Sequence, residues 1–101
     1  MLALTVIGYS QTITQNVRGT VVDSESQFPL IGAKVKIIRD SGSTTLGAVC
    51  DSYGNFIIRN VPVGKYPLQI TSIGYEQQTT TVIVNSGKET VVNILLEESA
   101  I

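Results

Sequence analysis

Residues able to do acid–base, nucleophilic or metal chemistry are scarce in this chain, and their spacing assembles none of them into a working set. Histidine is absent from all 101 positions, which removes the commonest general base and the commonest metal ligand. Cys50 is the single cysteine, so neither an internal disulfide nor a His/Cys zinc site can form. It sits in the half-apolar run Leu46-Gly-Ala-Val-Cys-Asp51 and reads as a buried core thiol rather than a reactive one. Asp51, Tyr53 and Asn55 alternate around Gly54 as ligands of a calcium loop would, but an EF-hand loop needs more oxygen ligands and a terminal bidentate Glu. An ordinary hairpin accounts for them. Lys34 and Asn93 would form an isopeptide crosslink only beside a buried carboxylate, and Lys34 alternates with core residues and so faces water. No catalytic, metal-binding or cofactor-binding residue is expected, and no cofactor.

Contact chemistry is what remains. Lys34 and Lys36, extended by Arg39, form a basic stripe that could dock an acidic partner; it reads rather as a solvated outer sheet face, which needs no partner. Tyr53, Tyr66 and Tyr75 could serve as platforms for sugar rings. Tyr66 and Tyr75 fall on inward or corner positions and read as core, whereas Tyr53 sits at a hairpin tip, exposed. Tyr53, Lys34 and Lys36 are therefore the candidate contact residues. Seven basic residues oppose eight acidic ones for a net charge of -1, so nothing favours nucleic acid or anionic lipid as the partner.

The elements that would carry these residues are strands. The chain is 43% hydrophobic and 15% charged, enough apolar material for one core and too little charge for disorder. Apolar residues recur at spacing two between turn signals, and no helical period survives. Val17, Gly19 and Val21 share one face of 16–23. A polar loop over 24–32 ends in an apolar clamp, Phe28 and Leu30. Ala33, Val35 and Ile37 point inward from 33–39. A turn-rich loop over 40–44 leads to a strand over 46–50. Asp51-Ser-Tyr-Gly54 suits a tight hairpin, with Gly54 at positive φ, and Phe56 and Ile58 then face the core. Val61-Pro-Val-Gly-Lys65 is a second turn, followed by inward Tyr66, Leu68 and Ile70. Pro67 belongs at a strand's start or at an edge. After Gly74-Tyr75 comes a Thr-rich strand to Val84, which could recruit another strand along an open edge but reads rather as an internal, paired strand. Val92, Ile94 and Leu96 face inward in the last. The pattern predicts an all-β, seven-stranded antiparallel two-sheet sandwich, prealbumin-like or Ig-like, as a single domain.

Met1–Ser10 is uncharged, mostly apolar and too short to span a bilayer. It reads as the back end of a secretory signal peptide without its positive n-region, with cleavage before Gln11. The alternative is an extra N-terminal strand, since Thr5, Val6 and Ile7 favour β structure. The expected division is therefore 1–10 as a signal-peptide remnant and 11–101 as the domain.

Five segments then carry a resemblance: Val17-Arg-Gly-Thr-Val-Val-Asp23, Pro29-Leu-Ile-Gly-Ala-Lys-Val35, Asp51-Ser-Tyr-Gly-Asn-Phe56, Val61-Pro-Val-Gly-Lys-Tyr66 and Ile73-Gly-Tyr75. Together they resemble the carboxypeptidase regulatory-like domain, whose pattern runs G-x-V-x-D, P-L-x-G-A-x-V, D-x-x-G-x-F, P-x-G-x-Y and G-Y. The resemblance implies a transthyretin-like prealbumin sandwich. A Gln-rich start after a signal peptide, followed by this domain, is similar to the N-terminal extension of TonB-dependent outer-membrane receptors of the glycan-importing type. That implies an exported, periplasmic or outer-membrane-associated module that touches protein (a transporter or envelope component) or carbohydrate, and does not itself span the membrane. The same module also accompanies secreted carboxypeptidases, which leaves a carbohydrate- or surface-binding accessory domain of a secreted hydrolase as the alternative. Hydrolases on this scaffold need histidines, so an enzyme is not expected.

Overall fold

Short alternating runs broken by glycine turns leave the chain one way to cover its hydrocarbon, as pleated strands in two facing layers. The computed structural model describes residues 13–39 and 46–99 and contains seven strands and no helix among them. They are β1 (Thr14–Asp23), β2 (Lys34–Ile37), β3 (Leu46–Val49), β4 (Asn55–Pro62), β5 (Gly64–Thr71), β6 (Gln78–Val84) and β7 (Thr90–Leu96). A three-stranded sheet in the order β4-β1-β7 faces a four-stranded sheet in the order β3-β2-β5-β6.

Between the layers lie Val17, Val21, Phe56, Ile58, Ile94 and Leu96 from one sheet and Val35, Ile37, Leu68, Ile70, Val82 and Val84 from the other, each at most 4% exposed. Burying one such side chain contributes about 1.5–3 kcal/mol, so this double row supplies most of the driving force for folding. Cys50 is buried among them. Burial, reinforced by the negative charge of Asp51, pushes its thiol up to about 11, which leaves almost no thiolate at neutral pH.

The sandwich and its seven strands follow the sequence reading; several details depart from it. The β1–β7 pair is parallel, because the first and last strands meet with the whole chain between them and no short turn to set their directions. The reversal at 51–54 is not a hairpin: β3 belongs to the four-stranded sheet and β4 to the three-stranded one. The chain crosses between layers there, and crosses back at Val63 into β5. Val61 is not part of that turn but fully buried in β4. On β4, Arg59 and Asn60 together oppose the single residue Asn16. This bulge, with Asn60 at a φ of 59°, resets the alternation so that Val61 points inward.

Pro67 lies inside β5, a strand paired on both sides. Its carbonyl accepts from Ile38 N–H at 3.0 Å, and the missing reciprocal donor is why the β2 ladder stops at Ile37–Leu68. Phe28 is 72% exposed and clamps nothing; Leu30 alone fills that place. The strand 78–84 is an edge rather than an internal strand. The signal-peptide and N-terminal-strand readings of 1–10, and the loop over 40–44, lie outside the described residues.

Candidate functional site

The register of the strands brings the β1–β2, β3–β4 and β5–β6 connections to one end of the sandwich. Gly32 N–H donates to Cys50 O at 3.0 Å, and Ser99 N–H to Gly74 O at 2.9 Å, stitching these loops and the chain after β7 together. Two of the connections contain the same device. Ala33 N–H closes on Leu30 O at 3.3 Å and Tyr75 N–H on Ser72 O at 3.1 Å, with Gly32 at φ 81° and Gly74 at φ 86°. Glycine in the third place of a turn permits a type II geometry and leaves the second residue outermost. Those outermost residues are Ile31 and Ile73, 68% and 100% exposed.

The third connection is built on Asp51. Its Oδ1 accepts from Tyr53 N–H at 2.9 Å and Asn55 N–H at 3.0 Å, and its carbonyl accepts from Gly54 N–H at 3.0 Å. Val21 N–H in turn reaches Gly54 O at 2.8 Å and ties the turn to β1. Tyr53 is thereby held outward, 77% exposed. The Asp51 oxygen a calcium loop would need is spent on backbone.

Asp23, at the end of β1, is 5% exposed. Its Oδ1 accepts from Glu25 N–H at 2.8 Å and Ser26 N–H at 2.9 Å, and its Oδ2 from the Tyr75 hydroxyl at 2.8 Å. The Ser26 N–H, then the Tyr75 hydroxyl and the Glu25 N–H, favour the anion and lower the carboxyl from 3.8 to about 2. The same Asp23 bond, with burial and the nearby negative charges behind it, raises the Tyr75 phenol from 10.0 to about 12. The pairing joins the β1–β2 loop to the β5–β6 loop. The sequence alone suggests core packing for Tyr75 and names no partner for Asp23. A signal is nonetheless there: Asp23 continues the inward phase of Val17, Gly19 and Val21, and a carboxylate on an inward position demands donors.

Of the residues singled out in the sequence, Tyr53 stands on this loop end. Lys34 opens β2 there and lines a recess of about 300 Å³ with Gly32, Thr71, Ser72 and Ile73. Lys36 shares its outer face one rung further in, exposed, with Gln69 as its neighbour on β5. The strands of that sheet carry Lys34, Lys36 and Lys65 and no carboxylate. Acidic groups gather instead around a second recess at the loop end, lined by Asp23, Ser24, Glu25, Glu97 and Glu98. Among the described residues, no group of three or more His, Cys, Asp or Glu could hold a metal ion. Lys34 and Asn93 lie in different sheets.

A further groove of about 480 Å³ lies over the three-stranded sheet, where Arg18, Thr20, Asn55 and Asn93 surround Ile57, Val91 and, from β3, Val49. Thr20 Oγ1 lies 3.1 Å from Asn93 Oδ1, and Arg18 Nε 3.3 Å from Glu89 Oε1.

Comparison with known proteins agrees with the geometry. A family model described as carboxypeptidase regulatory-like domain matches residues 16–97. No curated protein matches the chain. Among solved structures, a minor pilin of Streptococcus agalactiae superposes with a TM-score of 0.68 at 22% identity, over 89% of this chain and 47% of that one. A chain of a type II cohesin-X-dockerin complex from Acetivibrio cellulolyticus gives 0.65 at 25%, over 81% and 56%. A candidate carbohydrate-binding protein from Bacteroides uniformis gives 0.64 at 15%, over 82% and 41%. The chain thus spans about half the length of the structures it resembles.

Proposed function

Because the chain belongs to the carboxypeptidase regulatory-like domain family, whose model covers residues 16–97, we propose that it works without catalysis, as a protein-interaction or spacer module of a bacterial envelope. In finer terms it is the exported N-terminal domain of a TonB-dependent outer-membrane receptor of the glycan-importing type, lying in the periplasm.

One observation carries this reading. Phe28, Ile31, Tyr53 and Ile73 are all strongly exposed at the same end of the sandwich, on loops held by backbone and carboxylate hydrogen bonds. A loop with no partner gains nothing from large apolar side chains in water, whereas rigid apolar tips with a polar surround are the anatomy of a contact site. Lys34 adds a cation beside Ile73 with Lys36 one rung further along the sheet, and Glu25, Glu97 and Glu98 add anions on the other flank. The likeness to a pilin and to a chain of a cohesin-X-dockerin complex is consistent with work done by protein contact.

The triple variant Ile31→Ser, Tyr53→Ser, Ile73→Ser in the full-length protein tests it. All three side chains are outside the core, so the folding midpoint should move by less than about 0.5 kcal/mol. The receptor should reach the outer membrane in normal amount, while growth on its imported substrate falls. Unchanged growth would remove the loop end from the function. A reading frame that continues past residue 101 without encoding a plug and barrel would remove the receptor.

The groove over the three-stranded sheet favours a second reading, a carbohydrate-binding accessory module. Amide, hydroxyl and guanidinium groups around an aliphatic floor suit a neutral sugar, whose hydroxyls and C–H faces need both. Isothermal titration with neutral gluco-, manno- and xylo-oligosaccharides should then give a Kd of about 1 mM or tighter, weakened in Asn55→Ala. No heat with any of them would end this alternative.

A further inference from the structure

The four-stranded sheet ends at β6, and β6 lacks the charge, proline and bulge with which natural edge strands resist pairing. It is seven residues long, contains no proline or bulge, and sits in a stretch from Gln77 to Gly87 with no charged residue. Edges are ordinarily blunted by charge, proline or irregularity because their free N–H and C=O groups template another strand.

Two separate contacts say which groups of β6 are free. The Pro67 carbonyl faces β2, where it accepts from Ile38, so Pro67 and its partner Thr81 exchange no hydrogen bond. In an antiparallel ladder this turns the Thr81 N–H and C=O away from β5. Independently, Ile83 O accepts from Thr90 Oγ1 at 2.8 Å on the side facing β7, which puts Thr79, Thr81 and Ile83 in the same outward phase. Thr90 engages the Ile83 rung; among the described residues, the Thr79 and Thr81 rungs remain open.

We propose that this edge pairs with the β6 edge of a second copy of the chain, antiparallel and centred on Thr80. Thr79 then exchanges both backbone bonds with the second copy's Thr81, and Thr81 with the second copy's Thr79. The occupant is a second copy because the segment is complementary to itself. Under that twofold, threonine meets threonine on both faces, β-branched pairs line the junction, and no like charges oppose one another. A twofold pairing also uses up the β6 edge of each copy, so it closes as a dimer instead of growing into a fibre. The two four-stranded sheets become one of eight. This proposal stands apart from the receptor reading, since it draws on neither the loop end nor any neighbouring domain.

The test is sedimentation velocity on the isolated domain, from low micromolar to about 1 mM, with Thr81→Pro beside it. Proline at 81 deletes an outward N–H and blocks the approach without touching the β5–β6 ladder, so the variant should melt within a few degrees of the parent. Thr81→Lys, which places a charge on the outer face at the junction, is the second probe. The expected result is a concentration-dependent dimer for the parent, with both variants monomeric throughout. A parent that stays monomeric at the highest concentration overturns the proposal. So does a dimer that survives in both folded variants.

Discussion

Replacing Gly54 with alanine should lower the stability of the domain by about 3 kcal/mol, a large share of what a domain of this size possesses. Two costs combine. The φ of Gly54 is 76°, a left-handed conformation that an L-residue adopts at roughly 1–2 kcal/mol. A Cβ there would also stand 2.7 Å from Val21 O and 2.9 Å from Pro29 Cβ. Neither neighbour can yield cheaply, since Val21 also donates its N–H to Gly54 O and Pro29 bridges to Val22. Other glycines of the chain separate the two costs. Gly74 has a φ of 86°, but a Cβ added to it would meet nothing within 4 Å, so Gly74→Ala should lose only the conformational part, about 1 kcal/mol. Gly87 has open space and no left-handed φ, and Gly87→Ala should be neutral or slightly stabilising. Urea midpoints for the three variants should fall in that order. A Gly54→Ala variant no worse than Gly74→Ala would mean that the turn does not lie against β1 and Pro29 as described.

The same residues explain how far the fold could be read from the chain. Period-two alternation is a local signal, so β1, β2, β5, β6 and β7 and nearly all of their inward residues were legible. Sheet membership is not local. Nothing in Asp51–Gly54 distinguishes a turn that pairs its flanking strands from one that sends them into opposite layers, because both need an Asp-led reversal and a left-handed glycine. The β4 bulge was hidden for a related reason: Asn60 is unremarkable in sequence until its left-handed φ lets Val61 return to the core. At the site, Tyr53 was recognisable as exposed, but Ile31 and Ile73 were not. An isoleucine before a glycine looks like strand or core, and only the turn geometry shows that the glycine takes the inner corner and leaves the isoleucine in water.

Asp23 and Tyr75 should give the domain a pH dependence with two separable limbs. The Asp23 carboxyl is held at about 2 against 3.8 when free. A lowered folded value means stability fully present above about pH 4 and lost progressively as pH falls toward 2. The Tyr75 phenol is held at about 12 against 10.0. A raised folded value means stability fully present below about pH 10 and lost as pH rises toward 12. The acid limb reports the anionic carboxylate held first by the Ser26 N–H and then by the Tyr75 hydroxyl and the Glu25 N–H. The alkaline limb reports chiefly the phenol donating to it, so the phenol–carboxylate bond they share is complete between about pH 4 and 10. Asp23→Asn keeps an Oδ1 for the Glu25 and Ser26 N–H groups but removes the charge. It should lower the urea midpoint at pH 7 and flatten the acid limb to less than about half its parental drop. Tyr75→Phe should likewise lower the midpoint at neutral pH and flatten the alkaline limb. The acidic recess around Glu25, Glu97 and Glu98 supplies the control, because Glu97→Gln should leave the alkaline limb in place. Parental acid and alkaline slopes in Asp23→Asn and Tyr75→Phe respectively would show that the two motif residues do not hold one another, and the loops they join would need another tether.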